Sequence, residues 1–126
     1  MNSPRQIRVL VVDDYPDAAE LLTDVLLATG YDVVTATDGL RALELAEQQE
    51  PAAAFVDIGM PEMDGYEVAR RFRALSFGSK MFLVALTGHC SEADRRRALQ
   101  AGFDMHLVKP IDLGKIASVL AQRFGA

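Results

Sequence analysis

Short runs of apolar residues alternate with segments of helical periodicity along the whole chain. The runs at 7–12, 53–56, 81–86 and 104–108 predict buried β-strands, and a weaker β-branched run at 32–36 predicts a fifth. Each run is followed by a segment with the apolar spacing of an amphipathic helix. The pattern therefore predicts five successive strand–helix units.

Residues that start and stop helices mark the ends of the predicted helical segments. Pro16 suits the first turn of a helix that ends near Thr29, where Gly30 can adopt the left-handed conformation. Asp38 can cap the second helix, and Pro51 limits it.

The last three helices carry similar signals. Asp64 with Glu67 has the spacing of a capping box for the third helix, and Ser91 with Asp94 has it for the fourth. Five residues give the last helix an apolar face: Leu113, Ile116, Ala117, Leu120 and Phe124.

Repeated strand–helix units favour a parallel sheet with right-handed crossovers and helices on both faces. For a chain of 126 residues, this predicts an α/β, doubly wound (βα)5 sandwich of the flavodoxin-like kind, with strand order 2-1-3-4-5. Neither an internal repeat nor a linker interrupts the pattern. We therefore expect residues 1–126 to form a single domain, with its core over about 7–124.

Composition and charge exclude several other classes of protein. Half of the residues are hydrophobic and a quarter are charged, which is typical of globular domains. The single Cys90 excludes an internal disulfide and suits the cytoplasm. The net charge is −5, and the three arginines of the run 95–97 point in directions ~100° apart on a helix, so they predict a solvated face. Direct nucleic-acid binding and membrane insertion are therefore not expected.

Polar residues follow four of the predicted strands. Asp13 and Asp14 come after the first strand, Asp57 after the third, Thr87 after the fourth and Lys109 after the fifth. Ligands of such sheets bind at the carboxyl ends of the strands, near the point where the strand order reverses. Because strands one and three are neighbours in the predicted order, their three carboxylates should meet at one edge.

A cluster of oxygen donors without His or Cys suits a hard divalent cation. Mg²⁺ fits this chemistry, with Mn²⁺ as a second choice. The Asp57 carboxylate can also attack a phosphoryl group to form an acyl phosphate. The cation, Lys109 and the Thr87 hydroxyl would then hold the phosphoryl oxygens.

Three functions compete for these residues. The first is a phosphorylation-dependent signalling module, and the second is a Mg²⁺-dependent phosphatase with Asp57 as its nucleophile. Phosphatases of that kind generally place an acid–base aspartate soon after the nucleophile, whereas Ile58 and Gly59 follow here. The third is a flavin-binding electron carrier of the same fold, but the segment 13–17 (DDYPD), with its three aspartates, would repel a phosphate group.

Several motifs resemble those of the receiver domains of two-component response regulators. Their sequences are VLVVDD (9–14), VDIGMPEMDG (56–65), ALTG (85–88), AGFD (101–104) and LVKP (107–110). The likeness covers roughly residues 7–124. It implies a chain that accepts a phosphoryl group from a histidine kinase or a histidine phosphotransfer domain and signals to a downstream target, rather than an enzyme acting on separate substrates.

The resemblance also implies a role for each matching residue. Asp57 matches the phospho-accepting aspartate, and Asp13 and Asp14 match the acidic pair that holds Mg²⁺. The backbone carbonyl of Gly59 would be a further ligand. Thr87 matches the switch hydroxyl that turns toward the phosphoryl group.

The lysine motif and two regulatory positions complete the comparison. Lys109 matches the lysine of the family, and its bond to Pro110 is expected to be cis. His106 stands where the family usually has Tyr or Phe, and it would serve as the ring of the switch. Gly59 offers no side chain to orient or block the hydrolytic water, and His89 occupies the other position that commonly tunes phosphate lifetime.

The first helix carries more apolar residues than a core stripe needs. They are Leu21, Leu22, Val25, Leu26 and Leu27. Some of them should pack in the core, and the remainder predict a docking face for a partner helix beside the acidic edge.

Overall fold

The computed structural model describes residues 7–60, 63–88 and 91–125. The strands are β1 (Arg8–Val12), β2 (Asp32–Ala36), β3 (Ala53–Asp57), β4 (Phe82–Thr87) and β5 (Met105–Val108). The helices are α1 (Pro16–Thr29), α2 (Gly39–Gln49), α3 (Gly65–Arg73), α4 (Glu92–Ala101) and α5 (Leu113–Phe124), and a short 3₁₀ helix spans Gly78–Lys80. Across the described ranges, no helix has the length and hydropathy that a membrane crossing requires.

The five strands form one parallel sheet in the order β2-β1-β3-β4-β5. This confirms the predicted flavodoxin-like fold. Val12 at the end of β1 pairs with Val56 of β3, and Thr87 at the end of β4 pairs with Val108 of β5. The carboxyl ends of these four strands therefore finish along one edge of the sheet.

Alternating side chains of the strands feed two separate cores. Val9 and Val11 belong to a core with α1 and α5 on one face of the sheet. Leu10 and Val12 belong to a core with α2, α3 and α4 on the other face. Both faces of these strands are buried, because helices cover the sheet on two sides. Each strand is therefore a short continuous run of apolar residues in the sequence.

The predicted ends of α1 and α4 are confirmed. Gly30 ends α1 with a φ of 105°, a left-handed conformation that favours glycine. At the start of α4, Ser91 accepts from the Asp94 N–H and the Asp94 carboxylate accepts from the Ser91 N–H, which is the predicted capping box.

The start of α3 differs from the predicted capping box in one respect. The Asp64 side chain accepts from the Glu67 N–H at 3.0 Å, as expected. The Glu67 carboxylate instead accepts from Arg70 and Arg71 one turn along the helix. The pairing lowers the pKa of Glu67, chiefly through the hydrogen bond from Arg71.

Candidate functional site

The three predicted carboxylates meet at the edge of the sheet. Asp57 is the last residue of β3, and Asp13 and Asp14 directly follow β1. One carboxylate oxygen from each residue lies within 4.8 Å of the other two. Asp13 and Asp57 are buried, at 3% and 6% exposure, whereas Asp14 is exposed. The acidic edge therefore combines two desolvated carboxylates with one that faces solvent.

Lys109 brings a positive charge to this cluster. Its Nζ lies 3.1 Å from Asp57 Oδ1, and the Gly59 N–H donates to the same oxygen at 3.0 Å. The backbone N–H of Lys109 donates to the Thr87 carbonyl at 2.7 Å, which ties β5 to β4 beside the site. The bond between Lys109 and Pro110 is cis, as the resemblance implied. The two donors therefore converge on the same oxygen of Asp57.

The close approach of these charges and their burial alter the pKa of Asp13. Burial raises the pKa of its carboxyl above the ordinary value, and the negative charge of Asp57 raises it further. The Tyr15 N–H, which donates to Asp13 Oδ1 at 2.9 Å, and the charge of Lys109 lower that pKa in part. A divalent cation among the three carboxylates would offset the remaining repulsion.

We expect Asp13→Asn to raise the stability of the metal-free protein. The raised pKa means that the folded chain holds its Asp13 proton more tightly than the unfolded chain does. The stability that this proton provides is present below the ordinary aspartate pKa and is lost as pH rises through the folded-state value. Asn keeps the acceptor oxygen for the Tyr15 N–H without the negative charge. The free energy of unfolding, measured at neutral pH in the presence of chelator, should therefore rise by about 1 kcal/mol.

The exposed neighbour provides the control for this substitution. Asp14→Asn makes the same chemical change at a solvated position, so its effect on the midpoint of thermal unfolding should be small. The gain from Asp13→Asn should shrink as pH falls through the raised folded-state pKa of Asp13 and should be absent below the ordinary aspartate pKa. A loss of stability in Asp13→Asn at neutral pH would contradict this account of the buried charge.

The donor set of the acidic edge fits a hard cation. All of the clustered side-chain ligands are carboxylate oxygens, which Mg²⁺ binds together with water and phosphate oxygens. Gly59 is exposed and lies two residues after Asp57 in the chain. Its carbonyl as a further ligand stays a prediction.

Gly59 also leaves the surface next to Asp57 open. A Cβ atom placed on Gly59 would lie 3.7 Å from Asp57 Oδ1, which is an ordinary contact distance. A side chain at this position would therefore fit beside the carboxylate and restrict water. The other position predicted to tune phosphate lifetime, His89, lies outside the described residues, as does Cys90.

The two predicted switch residues line a common cavity. Thr87 is the last residue of β4 and is buried, and His106 in β5 is half-buried. The remaining lining comes from Ile58, Tyr66, Asp94, Arg95 and Ala98. The structure thus places the candidate ring of the switch next to the candidate hydroxyl, with α4 forming one wall.

A second, larger cavity extends from the carboxylates over α1. It is lined by Asp13, Asp14, Asp57 and Lys109 at one end and continues along Tyr15, Ala18, Leu21, Leu22, Leu86, Pro110, Ile111 and Leu113. Leu21 is 55% exposed in this groove, whereas Leu26 on the same helix is fully buried. The predicted excess of apolar surface on α1 is therefore real, and part of it borders the acidic edge.

A model of the response regulator receiver domain family matches residues 9–121. The chain belongs to this family. The receiver domain is 35% identical over 120 residues to the sensor histidine kinase RcsC of Salmonella typhi, a match that covers 95% of this chain and 12% of that protein. The chain thus spans only a small part of the length of this relative.

Two solved structures extend the comparison. The receiver domain of the sensor histidine kinase PA1611 from Pseudomonas aeruginosa, with a magnesium ion coordinated in its active site cleft, is 32% identical. It superposes with a TM-score of 0.86 and covers 95% of this chain and 98% of that one. The receiver domain of Ssk1, solved with the histidine phosphotransfer protein Ypd1 of Saccharomyces cerevisiae, is 25% identical with a TM-score of 0.85, and the match covers 92% of this chain and 87% of that one.

One arginine of the run 95–97 makes a contact that the sequence does not predict. The Arg97 side chain is 60% exposed, as a solvated face requires, but its guanidinium carbon lies 4.2 Å from the centroid of the Tyr66 ring. No sequence spacing links Arg97 to Tyr66. The contact joins α3 to α4, and only the packing of the two helices reveals it.

Proposed function

We propose that this receiver domain takes a phosphoryl group from a phosphohistidine donor onto Asp57 and passes the signal on through Thr87 and His106. The single observation that carries the proposal is the surroundings of the buried Asp57 carboxylate. It has Lys109 and the Gly59 N–H on one oxygen, and two further carboxylates stand within metal-binding distance. With a divalent cation held by the carboxylates, this arrangement would stabilise added negative charge beside a nucleophile.

The transfer exchanges one bond to phosphorus for another. A carboxylate oxygen of Asp57 attacks the phosphorus atom, the P–N bond of the donor phosphohistidine breaks, and the imidazole leaves with its electron pair. The products are an acyl phosphate on Asp57 and an unmodified donor histidine. Asp13, Asp14 and Asp57 would hold Mg²⁺, which supplies neutralisation of the phosphoryl charge when bound.

Lys109 and Thr87 would then bind the oxygens of the phosphoryl group. Lys109 already contacts Asp57 and can move its ammonium to a phosphoryl oxygen without leaving the site. The Thr87 hydroxyl would turn toward the same group as a hydrogen-bond donor. His106, which lines the cavity next to Thr87, would follow into the vacated space. The movement of these two side chains is the proposed output of phosphorylation.

The groove along α1 suits the donor protein. It joins the acidic edge to the exposed apolar side chain of Leu21, so a partner helix lying there would hold its phosphohistidine close to Asp57. Receiver domains bind such donors, as the structure of Ssk1 with Ypd1 illustrates. We propose a histidine kinase or a histidine phosphotransfer domain as the donor, in the cytoplasm.

The proposed role does not include turnover of separate substrates. An acid–base aspartate soon after the nucleophile would favour a phosphatase, but Ile58 is half-buried and Gly59 has no side chain. The acidic residues after β1 disfavour a flavin phosphate. The domain would therefore catalyse only its own phosphorylation and dephosphorylation.

A transfer experiment tests this function against the phosphatase hypothesis. A histidine phosphotransfer domain carrying a labelled phosphohistidine should lose its label to this chain in the presence of Mg²⁺, with at most one phosphoryl group gained per chain. Repeated turnover of a phosphomonoester without a stoichiometric protein-bound phosphoryl group would support the phosphatase instead.

A further inference from the structure

Tyr66 is a buried residue at the start of α3. It is the second residue of α3, it is 5% exposed, and its ring lines the same cavity as Thr87 and His106. The guanidinium of Arg97 from α4 lies over this ring, 4.2 Å from its centroid, which is within the range of a cation–π interaction. The contact holds α4 against the first turn of α3.

Arg97 also contacts the residue that caps α3. Its Nη2 lies 3.9 Å from Asp64 Oδ2, and both side chains are well exposed. An exposed ion pair of this kind contributes little to stability by itself. Asp64, Tyr66 and Arg97 together are called the α3–α4 clasp below.

The start of α3, which lies next to the clasp residues Asp64 and Tyr66, packs against the backbone of Asp57 and Ile58. Gly65, which lies between the clasp residues Asp64 and Tyr66, donates its N–H to the Ile58 carbonyl at 3.2 Å. A Cβ atom placed on Gly65 would lie only 2.8 Å from the Asp57 carbonyl oxygen and 2.7 Å from Ile58 Cα. The start of α3 therefore packs against the acceptor strand without room for a methyl group between them.

The cavity lined by Thr87 and His106, called the switch cavity below, is bordered by residues that the clasp holds in place. Protein interiors are close-packed, so a ring that enters the cavity needs part of the lining to move. Thr87 moves in the proposed switch, and a movement of Tyr66 or of α4, which contributes Asp94, Arg95 and Ala98 to the lining, would widen the cavity further. Arg97 holds Tyr66 and α4 to each other, and it therefore opposes both ways of widening the cavity.

We propose that the α3–α4 clasp sets how readily this receiver domain switches. The inference rests on the proposed function, since it takes the inward movement of His106 as part of the response. A weaker clasp raises the fraction of unphosphorylated chains in the switched arrangement. Because the apparent phosphorylation rate scales with the competent fraction, a small phosphodonor then reacts faster.

The test compares two neighbouring arginines. Arg97→Gln removes the guanidinium from the Tyr66 ring, and the exposed Arg96→Gln makes the same change in charge and side-chain length on the same helix. With acetyl phosphate and Mg²⁺, Arg97→Gln should react about two- to fivefold faster than wild type, the factor that matches a partly exposed cation–π contact. Arg96→Gln should react at the wild-type rate. Equal rates for the two variants, or a slower Arg97→Gln, would overturn the clasp.

Substitutions of the ring and the hydroxyl separate a switch restraint from a packing effect. Tyr66→Phe keeps the aromatic face and should keep the wild-type rate, whereas Tyr66→Leu should match Arg97→Gln, and the double variant should be no faster than either. In a Thr87→Ala background, Arg97→Gln should no longer accelerate the reaction. Acceleration that persists without the Thr87 hydroxyl would contradict a restraint on the switch.

Amide hydrogen exchange tests the clasp without any phosphorylation. In the absence of phosphodonor, the α4 amides of Arg97→Gln should exchange faster than those of wild type and Arg96→Gln. The same exchange rates in all three proteins would overturn the clasp, whether or not wild type accepts a phosphoryl group. The failure of the proposed function and the failure of the clasp are thereby distinguishable.

Discussion

Asp57→Asn should lose essentially all stable phosphorylation by acetyl phosphate, with a fall in rate of at least about a hundredfold. The amide has no anionic oxygen to attack phosphorus, yet it keeps the shape of the side chain and can still accept from the Gly59 N–H that now donates to Asp57 Oδ1. The intact mass of the variant after incubation with donor and Mg²⁺ should equal its starting mass, whereas wild type should gain one phosphoryl group.

A matched substitution at an aspartate outside the carboxylate cluster controls for the change from acid to amide. Asp38 caps α2 by accepting from the Arg41 N–H, and Asn serves nearly as well in that role. Asp38→Asn should therefore fold and label as wild type does. Full labelling of Asp57→Asn would refute the assignment of the acceptor.

Removal of the divalent cation should have the second largest effect. With two buried carboxylates and one exposed carboxylate at the site, an incoming phosphoryl group meets strong repulsion unless a cation offsets it. Chelation with EDTA should lower the phosphorylation rate of wild type by about 10²–10³-fold, the usual effect of removing an electrostatic stabiliser of a transition state. Measurement of labelling against free Mg²⁺ concentration checks this.

The same titration tests the ligands. Asp14→Asn, which removes the exposed carboxylate, should shift the half-maximal Mg²⁺ concentration upward, and excess Mg²⁺ should restore part of the rate. If Mg²⁺ added after EDTA restores the phosphorylation rate of wild type, the chelator has not damaged the protein. A labelling rate that chelation leaves unchanged would contradict the role of the cation.

The fold was largely predictable because its local signals agree with its tertiary arrangement. The strands are buried on both faces, so Val9 to Val12 form an unbroken apolar run that has few other interpretations. The helix ends at Gly30 and Ser91 depend on neighbouring residues alone. The gathering of polar residues at one edge then follows from the order of parallel strands.

Contacts between separate helices were not predictable in the same way. The pairing of Arg97 with Tyr66 depends on how α3 and α4 lie across the sheet, which no sequence spacing specifies. The Glu67 carboxylate could accept from the backbone at the start of α3 or from two nearby arginines. These interactions differ by small energies, so the sequence does not indicate which of them forms. The raised pKa of Asp13 required the depth of its burial, and the sequence indicates only that acids lie close together.

Location of the phosphoryl group itself tests the central claim most directly. Wild-type protein is phosphorylated by acetyl phosphate with Mg²⁺ and reduced with borohydride, which converts an aspartyl phosphate to homoserine, and its peptides are then sequenced by mass spectrometry. The proposed function predicts homoserine at position 57 and unmodified aspartate at positions 13 and 14. Homoserine at 13 or 14, or a stable phosphoryl group on a hydroxyl or imidazole side chain with Asp57 unmodified, would contradict it.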